Sequence, residues 1–199
     1  MVVTEVQFDP RQILGPADTD KHLAPRSKGL HLSQIYDDLQ QSARGMVIGQ
    51  DKLTSEELQW YRSVGYVWER VVDDAFAKCL LSPNCVRLGE VTVDGITGSP
   101  DLVDLSSDDW VVVDTKATFK SSRKLDDLEK NFWTWTVQLK GYCYMVKATR
   151  ARLLVMHICG NYAPPRPIVK QLELEFTQEE LQQNWNVLVA HARRRKWLK

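Results

Sequence analysis

The stretch TGSPDLVDLSSDDWVVVDTKAT, residues 97 to 118, constrains the fold more than any other part of the chain. Two apolar runs, SPDLVDL and WVVVDTKA, flank the polar turn SSDD, and this pattern predicts a β-hairpin. Residues opposed in an antiparallel hairpin have numbers with a constant sum. Centring the turn between Ser107 and Asp108 opposes Leu105 with Trp110 and, by the same sum, Asp101 with Asp114. Opposed residues project from one face with Cβ atoms about 5 Å apart. Lys116 lies two residues past Asp114 and shares that face. Strands that need burial thus carry two carboxylates and an ammonium to one place, and charge near a core costs free energy unless it is paired.

The hairpin alone leaves two readings open. Adjacent carboxylates raise each other's pKa unless a cation lies between them. A hard divalent ion meets that need, and Mg²⁺ typically takes one or two carboxylates together with water and a substrate phosphate. In the other reading Lys116 neutralises the aspartates as a half-exposed ion-pair cluster. If the turn at DGITG brings Glu90 opposite Asp101, Glu90 joins the carboxylate face, while Asp104 and Asp109 read as turn or solvent-facing residues.

Around the hairpin the chain reads as one α/β domain, residues 29–199, behind an extended arm, residues 1–28, that is rich in Pro, Asp and Lys. HLSQIYDDLQQSAR has Leu32, Ile35, Tyr36 and Leu39 at helical spacing. TSEELQWYRSVGYVWERVVDDAFAKCLL is the clearest helix, opened by a Thr54–Glu57 capping box and carrying Leu58, Tyr61, Gly65, Trp68, Val72, Ala75 and Cys79 every three or four residues. CVRLGEVTV reads as a strand before the hairpin, LDDLEKNFWTWTVQLKGYCYMVK as a second long helix, and ARLLVMHIC as a further strand, in which His157 is a satisfied core histidine. Pro164, Pro165 and Pro167 then break regular structure, and a second capping box, Thr177 to Glu180, opens a closing helix with apolar Leu181, Trp185 and Leu188. The order helix, three strands, helix, strand predicts a mixed central β-sheet flanked by α-helices.

Lys plus Arg and Asp plus Glu both number 26, so binding to a polyanion must come from a local patch rather than from net charge. No apolar run approaches a bilayer span, and MVVTEVQFDPRQ lacks the basic and apolar regions of a leader, so a cytoplasmic protein without membrane contact is expected. Cys79, Cys85, Cys143 and Cys159 form no CxxC pair and read as small hydrophobes in a reducing compartment.

Gly98-Ser99-Pro100-Asp101 followed by Asp114-Thr115-Lys116 resembles the signature of the PD-(D/E)xK nuclease superfamily. Gly65-Tyr66-Val67-Trp68-Glu69 matches the G-x-x-x-E helix of its RecB-like branch, and Gln138-Leu139-Lys140-Gly141-Tyr142 matches that branch's Q-x-x-x-Y helix. The four motifs stand in the family's order over roughly residues 55 to 160. The resemblance implies a restriction-endonuclease-like core and hydrolysis of DNA phosphodiester bonds with Mg²⁺ or Mn²⁺. Relatives in this branch include repair nucleases, CRISPR-adaptation nucleases and phage recombination exonucleases, so an exonuclease on DNA ends in recombination or repair, in a bacterial or a phage setting, is the form expected. An endonuclease, or a nuclease fold kept as a non-catalytic binding module, is the alternative.

Carried onto this sequence, the resemblance makes Asp101 and Asp114 metal ligands, with the Thr115 carbonyl and Glu69 completing the set. Lys116 orients or deprotonates the attacking water, and Gln138 with Tyr142, four apart on one helical face, positions the site and the DNA strand. The basic connector KATFKSSRK places Lys120, Arg123 and Lys124 beside the site for contact with phosphates. Trp133 and Trp135 are either core or a stacking surface, and RRRK at 193–196 either suits a helix end or is a second DNA contact. No cysteine precedes Glu69, so the iron–sulfur cluster of some relatives is not expected. A recombination or annealing partner would be a separate chain, and homo-oligomerisation is left open.

Overall fold

The computed structural model of the protein describes residues 28–43, 63–72 and 84–199. The proposed N-terminal arm, the Thr54–Glu57 capping box and the later turns of its helix, with Ala75 and Cys79, lie outside the described residues.

Strand β1 (Leu30–His31) leads into helix α1 (Leu32–Ala43), whose Leu32 and Ile35 are fully buried as the helical spacing predicted. Helix α2 is described over residues 63–72. Then come β2 (Cys85–Val86), β3 (Val91–Val93), β4 (Ile96–Gly98), β5 (Leu102–Asp104) and β6 (Val111–Thr118). A 3₁₀ turn (Ser122–Asp127), α3 (Leu128–Asn131) and α4 (Trp133–Val146) cross to β7 (Arg150–His157), which is followed by β8 (Ile168–Glu175) and α5 (Gln178–Arg194).

A five-stranded sheet has the order β2-β5-β6-β7-β8, with β6 and β7 parallel and the other neighbours antiparallel. Parallel neighbours need a long crossover, and α4 lies on it. A second, three-stranded sheet has the order β1-β4-β3. Mixed sheets flanked by helices are what the strand and helix order predicted. The faces of the large sheet alternate along β6. Val112 joins the main core with Leu153, Val155, α4 and α5, while Val113 packs with Leu102, Leu154, Trp68 and Val72 beneath α2.

The segment predicted as the strand CVRLGEVTV is two strands in different sheets. Gly89, at φ 70, separates β2 from β3. The loop DGITG is a two-residue turn, Asp94-Gly95, with both residues at positive φ, so Ile96 already pairs with Val93. That register opposes Val91 with Gly98 and removes Glu90 from Asp101. Glu90 is exposed and the carboxylate face does not include it.

The second long helix is also interrupted. Phe132 leaves helical geometry at φ −138 and ψ 37, and its ring is buried at the break between α3 and α4. Burying that ring outweighs continuing the helix. Strand β8 was not expected at all, because its prolines precede it and its residues alternate half-buried and exposed at the sheet edge. The closing helix has both hydrogen bonds of the predicted capping box, and Leu181, Trp185 and Leu188 are buried. His157 is fully buried, with Nδ1 2.8 Å from the Lys120 carbonyl oxygen.

Candidate active site

The hairpin register is the predicted one: Leu102, Val103 and Asp104 oppose Val113, Val112 and Val111. Continuing the same sum opposes Asp101 with Asp114. Asp101, however, lies just beyond β5, where the chain bends after Pro100. Its Oδ2 accepts two hydrogen bonds from Thr115, from the amide at 2.8 Å and from the hydroxyl at 2.9 Å. One oxygen of Asp101 is thereby anchored to the edge of β6. The signal for this in the sequence was the hydroxyl residue inside Asp114-Thr115-Lys116, which strand alternation alone assigns to the opposite face.

Asp114 points to the α4 side of the sheet, next to Leu153 in the parallel register, and is 1% exposed. Burial pushes its carboxyl up to about 6; the Lys116 charge opposes that rise, and the charges of Asp101 and Glu69 add to it. Lys116 Nζ lies 2.5 Å from Asp114 Oδ2. Burial alone would weaken the ammonium, but Asp114 and Asp101 outweigh it and hold Lys116 above the ordinary lysine range. The contact is one of charge. Asp114 Oδ1 receives no hydrogen bond, and both oxygens are sealed from solvent. Buried carboxylate oxygens without donors are costly.

Helix α4 closes the site from above. Gln138 Nε2 donates to the Tyr142 hydroxyl at 2.9 Å, and both side chains are buried. Burial raises the Tyr142 phenol above its ordinary pKa, and the Asp114 charge adds to the effect. A Cβ on Gly98 would stand 2.7 Å from Met145 Sδ and 3.0 Å from Tyr142 Cε1, so only glycine lets β4 meet α4 this closely. The GSPD motif thus shapes the approach of the QLKGY helix as well as supplying Asp101.

The donor set suits a hard divalent cation. Asp114 offers Oδ1 without a hydrogen-bond donor beside the Oδ2 that Lys116 holds, Asp101 keeps Oδ1 beside its anchored Oδ2, and the charge of Glu69 reaches Asp114 from α2. Among the described residues no three His, Cys, Asp or Glu side chains converge on one point. Two carboxylates with water and phosphate filling the remaining positions is the ordinary arrangement for Mg²⁺.

Of the predicted DNA contacts, Lys120, Arg123 and Lys124 are exposed just after β6. Lys120 Nζ donates to the Asn131 carbonyl at 2.9 Å and sits 4.8 Å from the Phe132 ring centre. Trp135 is half-buried and stacks on Phe132, whereas Trp133 is 36% exposed. Asp104 and Asp109 are not free turn residues. Asp104 is buried, accepts from the Ser106 amide and hydroxyl and pairs with Arg152 at 3.5 Å. Asp109 receives Thr149 and Arg150, which hold its carboxyl below the usual range and tie the hairpin turn to the start of β7. Cys85 and Cys143 are buried, and burial pushes the Cys143 thiol up to about 12.

The sequence model of the PD-(D/E)XK nuclease superfamily matches residues 17–197. The chain belongs to that superfamily. Among solved structures, SSO0001 resembles it with a TM-score of 0.52 at 10% identity, over 90% of this chain and 85% of that one. A phage related exonuclease from Haemophilus somnus 129PT gives 0.46 at 13% identity, covering 92% and 88% of the two chains. An alkaline exonuclease from Laribacter hongkongensis gives 0.46 at 10% identity, covering 81% and 77%. The likeness to SSO0001 is one of fold. No curated protein matches this PD-(D/E)XK chain. Among the described residues no helix is long and apolar enough to cross a membrane.

Proposed function

We propose that this superfamily member is a metal-dependent deoxyribonuclease, acting as an exonuclease on DNA ends in recombination or repair. The buried Asp114 carboxylate carries the reading: its Oδ2 is held by the Lys116 ammonium, the charge of Asp101 acts on it, and its Oδ1 has no hydrogen-bond donor. A binding module has no need to maintain such a costly group. The exonuclease form rests on the resemblance of the G-x-x-x-E and Q-x-x-x-Y helices to the RecB-like branch, which is an argument from family and not from geometry.

In this reading Asp101 and Asp114, with the Thr115 carbonyl, would hold Mg²⁺ or Mn²⁺, and Glu69 would add its charge from α2. The ion, when bound, supplies the Lewis acidity that makes water nucleophilic near neutral pH and stabilises the leaving oxygen. Thr115 keeps Asp101 in one orientation through its amide and hydroxyl. Lys116 exchanges its contact with Asp114 for one with the phosphate, placing fixed positive charge where the transition state becomes negative. Tyr142, oriented by Gln138, walls the site from the α4 side. Lys120, Arg123 and Lys124 meet the phosphates of the incoming strand.

The test compares end-labelled linear DNA with covalently closed circles, in Mg²⁺, Mn²⁺ and EDTA, for wild type and Lys116→Ala. Metal-dependent loss of the linear substrate alone, absent in the variant, is the expected outcome. Cutting of the circle, also lost in the variant, moves the activity to an endonuclease. No cleavage of single or double strands with either ion would sink the catalytic reading and leave a binding module.

A further inference from the structure

The break at Phe132 creates a cavity of about 230 Å³ at the end of β6, and nothing in the catalytic assignment uses it. Its walls include Thr118, Lys120, Lys130, Phe132, Trp133 and Trp135. Asp114, Lys116 and Thr118 alternate along one strand and so share a face. At about 3.3 Å per residue, Thr118 is about 13 Å beyond Asp114 along that face. The cavity therefore continues the track that carries the candidate catalytic groups.

Its chemistry is one-sided. Two lysines line it and no acidic side chain does, although the neighbouring cavity on the other side of Trp133 includes Glu129 and Glu180. The Lys120 ammonium is held by the Asn131 carbonyl and the Phe132 ring, which leaves further N–H donors for an anion. Lys130 is exposed. Helix α4 begins at Trp133 with no side-chain cap from Phe132, so its positive end adds to the lysines. The aromatic groups divide the work: Trp135 is stacked on Phe132 with ring centres 4.1 Å apart, while the Trp133 indole is the exposed one.

We propose that this cavity holds one unpaired nucleotide of single-stranded DNA beside the catalytic groups, its base stacked on Trp133 and its phosphate on Lys130 and Lys120. Bases in an intact duplex already stack on each other, so the pocket selects a frayed or single strand. The inference rests on the nuclease reading for the identity of the ligand, and its test needs no cleavage.

The test is fluorescence anisotropy of labelled oligo-dT and of a blunt duplex in EDTA, at several salt concentrations. Trp133→Ala is expected to weaken oligo-dT binding by about 5- to 150-fold, Trp133→Phe to retain most of it, and both to leave duplex affinity within about twofold. Lys130→Ala is expected to lower the salt slope for oligo-dT by about 0.7. Trp133 and Lys130 are exposed, so melting curves matching the wild type accompany each variant. Unchanged oligo-dT binding in Trp133→Ala, equal losses on single strand and duplex, or no oligo-dT binding by the wild type would each overturn the proposal. Cleavage with binding indifferent to Trp133 removes the pocket and keeps the nuclease. Binding that depends on Trp133 without cleavage does the reverse.

Discussion

The Asp101 carboxylate is fastened to Thr115 by two hydrogen bonds to a single oxygen, one from the amide and one from the hydroxyl. The amide bond depends only on the backbone, so the hydroxyl is the part a substitution removes. Thr115→Val keeps the shape and the amide and frees Asp101 to rotate. Partners that orient a metal ligand typically contribute 10- to 100-fold in metal affinity. Mn²⁺ titration of Thr115→Val is expected to show a loss of about tenfold, with melting close to wild type. Wild-type affinity would mean that the amide alone suffices.

Asp114 supplies the pH dependence. With its carboxyl at about 6, it keeps its proton in the metal-free fold below that pH, and a metal must displace it. Metal affinity therefore falls as pH drops below about 6, approaching tenfold per unit, and levels off above. Calorimetric titration between pH 5 and 8 in two buffers of different ionisation enthalpy checks both the slope and the released proton. The sign for stability is opposite: the native state binds this proton more tightly than the unfolded chain. The metal-free fold thus loses stability as pH rises from 3.8 to about 6.

Gly98 sets the distance between β4 and α4. Gly98→Ala forces a Cβ against Met145 Sδ and Tyr142 Cε1. Overpacking of this kind costs about 1–3 kcal/mol, which corresponds to a Tm lower by about 3–10 °C for a chain of this size. Thermal unfolding measures it. An unchanged Tm would show that Met145 moves aside at no cost.

Asp38 ties α1 to the end of α5. Arg195 donates to both of its oxygens at 2.6 Å, His191 Nε2 lies 2.6 Å from Oδ2, and the Arg195 contact holds its carboxyl down at about 2. A lowered carboxyl pKa stabilises the fold above the ordinary value and loses that contribution as pH falls through the folded value. Asp38→Asn is expected to melt several degrees below wild type at pH 7, with the gap closing as pH approaches about 2. A gap that stays constant with pH would remove the charge from the explanation.

How legible the site was in the sequence differs from residue to residue. The constant-sum register of the hairpin brought Asp101 opposite Asp114 because polar turn and apolar runs left one pairing that buries the valines. Gln138 and Tyr142 were readable as one helical face. Glu90 was misplaced because Asp94-Gly95 accepts positive φ and forms a tighter turn, which moves the position opposite Glu90 from Asp101 to Ser99. The break at Phe132 was hidden because the local residues on either side are compatible with helix, and only a buried ring rewards leaving it. Strand β8 was hidden because an edge strand has no continuous apolar run; its pairing with β7 makes it a strand.

By itself the sequence determined the register of the hairpin and the helical faces of α1 and α5, since these depend on spacing between near neighbours, and its motifs carried the resemblance to the family. Tertiary structure decided which sheet each short strand joined, that Asp101 would turn to Thr115, and that Asp114 would be sealed beneath α4 with Lys116 as its counter-charge. Those outcomes depend on what packs above a residue and on how much water that packing removes, and a carboxylate's neighbours and pKa exist only once the chain has closed over it.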